Sequence, residues 1–139
     1  MVLEGLGEVN YLAALVAAVA WFVLGAIWYA PAVLGRAWQR AAGIEVPQGG
    51  ANAGMFVLTF VAYFVAAVVT AALADLTGST SVTDGVALGI LVGVGYALTL
   101  IGIGSVYERK PEPIMYFLVN GLYNLLGLIV VGAIVAAWN

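Results

Sequence analysis

Four stretches without a formal charge dominate this chain, at about 11–34, 54–74, 85–106 and 114–138. Each holds about 20–25 residues, enough to cross a hydrocarbon core of about 30 Å at about 1.5 Å per residue of helix. In lipid a backbone must satisfy its own hydrogen bonds, which leaves helices and closed barrels as spanning structures. These stretches are too long and too continuously apolar for barrel strands. The fold class expected is therefore all-α, a four-transmembrane-helix bundle forming a single integral membrane domain over 1–139. Composition agrees: 65% of the 139 residues are hydrophobic and 8% charged, with a mean hydropathy of +1.12. A soluble domain carries about a quarter charged residues, and a chain this small cannot hide so much apolar surface inside itself.

Sidedness is read from the cations. Arg36 and Arg40 lie between the first two spans, Arg109 and Lys110 between the last two. Glu4 and Glu8 precede span one, and Asp75 and Asp84 flank the remaining connection. All four cations fall on one side, which the positive-inside rule makes cytoplasmic. The expectation is a multi-pass protein of the cell (inner, cytoplasmic) membrane with both termini outside. The start, "MVLEGLGE", has no basic leader and the first span is too long for a signal h-region, so it reads as a retained helix.

The segment "GAIWYAPAVLGRAW", 25–38, shows how span one ends. Trp28, Tyr29 and Trp38 suit the headgroup level. Pro31 lacks an N–H and should kink or stop the helix. Arg36 and Arg40, four apart, can face anionic headgroups from a short interfacial helix. The Gly- and Pro-rich linker "GIEVPQGGANAG" should be irregular.

These residues carry a resemblance. Asn10, Tyr11, Gly25, Trp28, Tyr29, Pro31, Gly35 and Trp38 resemble the first-helix pattern of domain-of-unknown-function family 1761, small prokaryotic membrane proteins. Glu108 and Arg109 continue it, and Asn120, Gly121, Tyr123, Gly132, Ala133 and Trp138 are similar to the family's last helix. Ala30 stands where such proteins often have serine, and Asn124 where a histidine often follows the tyrosine. The resemblance implies four membrane helices and supplies no established activity.

On a 100°-per-residue wheel each span gathers small residues and polar-tipped aromatics on one face. Span one aligns Asn10, Ala14, Ala17, Trp21, Gly25 and Trp28, and span two aligns Thr59, Tyr63, Ala66 and Thr70. Span three aligns Gly85, Gly89, Gly93 and Tyr96, and span four aligns Tyr116, Asn120, Tyr123, Asn124 and Gly127. Lipid cannot satisfy an indole N–H, a phenol or a carboxamide, so these faces should turn inward. Trp21, Trp28, Tyr29, Tyr63, Tyr96, Asn120, Tyr123 and Asn124 are thus the candidate buried polar or ligand face. Asn120 lies about six residues inside span four, roughly 9 Å deep, level with Trp28, whose indole N–H is a compatible donor for the carboxamide.

The glycines 85, 89 and 93 form overlapping small-xxx-small motifs, which mark a close helix contact without naming its partner. Gly95 and Gly102 lie on another face of span three and are expected to carry a homo-oligomer contact. Span two laid on span four with an offset of 60 residues matches Met55 to Met115, Leu58 to Leu118 and Tyr63 to Tyr123, which points to two helical hairpins related by a parallel pseudo-repeat.

Several chemistries are excluded. The chain has no His and no Cys, which removes imidazole and thiolate chemistry and their metal sites. No acid or base lies deep in a span, against proton-coupled transport, and Ser79, Ser81 and Ser105 have no base partner. No enzyme activity, cofactor or metal is expected. The net charge of −3 argues against a nucleic-acid partner. What remains is a membrane binding or interaction protein: a scaffold, an accessory subunit or a binder of an apolar small molecule, with lipid and a second copy as partners. The alternative is a small transporter or channel built by oligomerisation and lined by Asn120, Asn124 and Thr99.

Overall fold

A computed structural model describes residues 2–45 and 52–139. Among these residues the fold is all-helical, and four helical segments are long and apolar enough to cross a membrane. Helix α1 is Tyr11–Trp28, α2 is Arg36–Ala42 and α3 is Ala53–Thr77. Span three, Val82–Tyr107, comprises α4 (Val82–Val92), a π-helical segment (Gly93–Leu98) and α5 (Thr99–Tyr107). Helix α6 is Pro113–Ala137. Of the irregular linker expected over 43–54, residues 46–51 lie outside the described residues.

The helix boundaries follow from capping chemistry. The side chains of Asn10, Asn52 and Ser81 accept from the backbone N–H groups of Ala13, Met55 and Asp84, satisfying donors that a helix start leaves open. Gly43 and Gly78 close α2 and α3 with φ of +69° and +66°, a left-handed conformation that glycine adopts without strain. Pro113 opens α6 at a position where a missing N–H costs nothing.

Span one is shorter than the stretch expected over 11–34. The helix ends at Trp28, Ala30 becomes extended, and Pro31 starts a five-residue π-turn, Pro31–Gly35, that leads into α2. The Gly35 N–H reaches back to the Ala30 carbonyl at 3.0 Å. The chain therefore leaves α1 and re-enters as a separate short helix, because proline removes the hydrogen bond that would have continued the first.

Helix α6 is the shared partner. It packs against α1, α2, α3 and the whole of span three, while span three meets α3 only slightly. Accordingly 44% of the most apolar stretch of α6 is buried, against 17% for span three. The two hairpins are not packed equivalently, since α1 lies along α6 whereas span three hardly touches α3. The 60-residue offset stays a sequence observation, although Tyr63 and Tyr123, which it superposes, do meet.

Charge segregates by end. The Glu112 N–H donates to the Ala41 carbonyl at 3.3 Å, which brings the Arg109–Lys110 turn beside α2 with Arg36 and Arg40. At the opposite end Asn10 donates to the Trp138 carbonyl and Asn139 to that of Ser79, at 3.5 and 3.3 Å. Glu4, Glu8, Asp75 and Asp84 belong to that end, which carries no Lys or Arg.

Candidate functional site

The site is an aromatic cluster joining α1, α3 and α6, centred on Tyr123. Tyr123 is 2% exposed, and its hydroxyl lies 3.1 Å from the Trp21 carbonyl and 2.8 Å from the Tyr63 hydroxyl. A carbonyl only accepts, so the single Tyr123 proton goes to Trp21 and Tyr63 donates to Tyr123. One phenol oxygen thus ties three helices in a medium that offers no competing water. Around it the Tyr123 ring lies 6.2 Å from the Trp28 ring and 5.0 Å from the Tyr29 ring. Trp21 stacks on Tyr63 with centroids 4.3 Å apart and planes 13° off parallel. Such offset and edge-on arrangements are the favoured geometries for aromatic quadrupoles.

Two glycines make the room. A Cβ on Gly25 would sit 2.5 Å from the Tyr123 hydroxyl oxygen, and one on Gly127 would overlap the Trp21 indole nitrogen. The wheels of α1 and α6 each put a glycine on the inward face. The structure shows that each lies opposite a ring of the neighbouring helix.

Trp28 and Asn120 lie near one another but do not pair. The Trp28 indole donates to the Val119 backbone carbonyl at 3.0 Å, and the Asn120 carboxamide oxygen accepts from the Tyr29 hydroxyl at 2.5 Å. The expected Trp28–Asn120 bond is therefore not formed. Position in the helix explains it: Trp28 is the last residue of α1, whereas Tyr29 is its C-cap and points back across α6. The amide nitrogens of Asn120 and Asn124 donate within α6, to the carbonyls of Tyr116 and Asn120 at 3.1 and 2.8 Å.

Tyr96 is the clear departure from the expected face. It is 70% exposed and has no part in the cluster. The cause is the π-helical segment Gly93–Leu98, which inserts one residue into the turn and rotates the helix beyond it. The buried line of Gly85, Gly89 and Gly93 continues to Ala97 instead. A 100° wheel assumes a uniform helix and misplaces every residue past such an insertion.

The three glycines of α4 and the π-segment face α6. Cβ atoms on Gly85 and Gly89 would overlap the backbone carbonyls of Gly132 and Leu128, and one on Gly93 would meet the Leu125 side chain at 2.6 Å. The second face expected for self-association divides. Gly95 has open space beside it, whereas a Cβ on Gly102 would touch the Phe117 ring of α6 at 3.4 Å. Gly102 therefore belongs to the contact within the chain, and the exposed outer face of span three runs through Leu91, Gly95, Tyr96 and Leu100.

Sequence reasoning missed two members. Trp38, read as an interfacial anchor, reaches the cluster through an edge-on contact with Tyr29 at 5.5 Å. The Val119 carbonyl has no signature in a side-chain pattern at all. One polar atom is left over: the Trp21 indole N–H is buried and finds no hydrogen-bond partner among the described residues.

Four apolar helices with a polar aromatic interior define a polytopic membrane protein of the all-α class. Within that class the chain belongs to the family described as Protein of unknown function (DUF1761), whose pattern matches residues 12–136. No curated protein and no solved structure matches the chain.

Proposed function

We propose that this chain is a non-catalytic interaction protein of the cell membrane, a scaffold or accessory subunit, with its cationic end in the cytoplasm and both termini outside. The observation that carries the reading is the Tyr123 hydroxyl: it engages Trp21 and Tyr63 at once, so the polar groups of the interior hold helices together. A channel reading needs polar side chains turned toward a shared lumen. Asn124 and Thr99 instead donate to carbonyls of their own helices, and Asn120 is engaged on both its oxygen and its nitrogen. Self-association is assigned to the outer face of span three around Gly95 and Tyr96, the helix with the least burial.

Reconstitution in liposomes tests this. The expected result is subunit exchange or co-localisation of labelled copies in bilayers with no ion or solute flux above protein-free vesicles. Flux that scales with protein and is lost on replacing Asn120 would overturn it in favour of the transporter or channel.

A further inference from the structure

We infer that α2 and the turn after it form a binding site for the phosphate of an anionic phospholipid headgroup. The inference is independent of the interaction reading above. Helix α2 has two unlike sides. Ala41 and Ala42 are 0% and 8% exposed, Trp38 rests edge-on against Tyr29, and the helix packs on α6. Arg36 and Arg40 are exposed on the other side. Residues four apart on a helix are neighbours, about 5–6 Å between Cβ atoms, and both arginines line one cleft.

Neither arginine has an ionic partner among the described residues. The cation that does is Lys110, 3.0 Å from Glu108 and 4.7 Å from the centre of the Tyr116 ring. Arg36 and Arg40 instead open onto a cleft of about 950 Å³ lined also by Gln39, Gly43, Ile44 and Glu45. This lining matches a lipid end-on. Two planar forks offer bidentate donors to a phosphate, Gln39 adds a neutral amide, and Ile44, 44% exposed, gives apolar surface for the glycerol and upper acyl region. Glu45 opposes an anion and leaves the lining one positive charge in excess.

The position fits as well. The Glu112–Ala41 bond sets α2 level with the start of α6 and the end of α5, the depth at which headgroups lie against the spans. The electrostatic attraction of a basic residue near an anionic surface is worth about fivefold in affinity, so two give about 25-fold.

The test titrates the purified protein in a neutral detergent with phosphatidylglycerol and with phosphatidylcholine, and counts bound lipid by native mass spectrometry. Phosphatidylglycerol is expected to bind in preference. Arg36→Gln with Arg40→Gln should weaken it about 25-fold without changing phosphatidylcholine. Arg109→Gln, beside the cleft but not lining it, should weaken phosphatidylglycerol far less than the double variant does. Equal binding of the two lipids overturns the inference, and so does an unchanged phosphatidylglycerol affinity in the double variant. Full competition by millimolar inorganic phosphate also overturns it, in favour of a free-anion site. Should the double variant lose helicity by circular dichroism, Glu45→Gln decides: phosphatidylglycerol affinity should rise several-fold, and no rise sinks the site.

Discussion

Replacing Gly25 by alanine should damage this protein in a way that removing a distant hydroxyl repairs. The added Cβ would lie 2.5 Å from the Tyr123 hydroxyl oxygen and 3.2 Å from the ring carbon that bears it. The oxygen cannot stay, and moving it breaks its contacts to Trp21 and Tyr63. Overpacking costs about 1–3 kcal/mol, and each lost intramembrane hydrogen bond about 0.6 kcal/mol on average. Alanine's better helix propensity returns up to about 1 kcal/mol. The net loss expected is about 1–3 kcal/mol. Tyr123→Phe alone loses the two bonds and should cost about 1–2 kcal/mol. In the double variant the colliding oxygen is absent, and the nearest atom, at 3.2 Å, needs to yield only a few tenths of an ångström. Its loss should be close to that of Tyr123→Phe alone, so the two changes are coupled by at least about 1 kcal/mol. Equilibrium unfolding in mixed micelles, followed by tryptophan emission, measures all four corners of the cycle. Additivity within about 0.5 kcal/mol would refute the claim that Gly25 exists to admit the Tyr123 hydroxyl.

Other perturbations separate the remaining contacts. Tyr29→Phe and Asn120→Leu remove opposite ends of one bond. In thermal unfolding each should cost about 1 kcal/mol, and the pair should cost less than their sum. Gly89→Leu drives a side chain into the Leu128 backbone and should unseat span three, read as protease sensitivity of the 82–107 segment. Gly95→Leu meets open space and should preserve the fold while lowering self-association measured by subunit exchange. With the cationic end in the cytoplasm, Glu45→Cys should label only from inside and Thr80→Cys only from outside, and the reverse pattern would invert the topology.

Legibility in the sequence depended on how local each cause is. The spans were readable because charge is excluded from hydrocarbon residue by residue, and Pro31 announces its own interruption. The inward faces of α1, α3 and α6 were readable because these helices are regular from end to end, so a single periodicity carries Trp21, Tyr63 and Tyr123 to one side. Tyr96 was misplaced because a π-insertion depends on which backbone bonds form inside a run of similar apolar residues, and no residue type marks it. The choice of partners within the cluster was equally hidden. Trp28 bonds a backbone carbonyl, and every residue has one of those. The glycine motif announced a close contact, but α6 became its partner only through the position of Gly132, which offers backbone to backbone across the crossing.

The two halves of the α6 surface hold their neighbours by different physics, and this bears on where a partner can act. Toward α1 and α3 the attachment is polar and directional, through Tyr123, Asn120 and the Val119 carbonyl. Directional bonds in lipid resist sliding, because a displaced donor has no water to turn to. Toward span three the attachment is mainly shape, with glycines 85 and 89 against backbone, and dispersion between close backbones requires no fixed hydrogen-bond register. Span three is also the least buried of the four spans and contains a π-helical segment. A second copy that packed beside Gly95 would touch the open side of span three, and both the glycine contact with α6 and the Tyr123 network would stay in place.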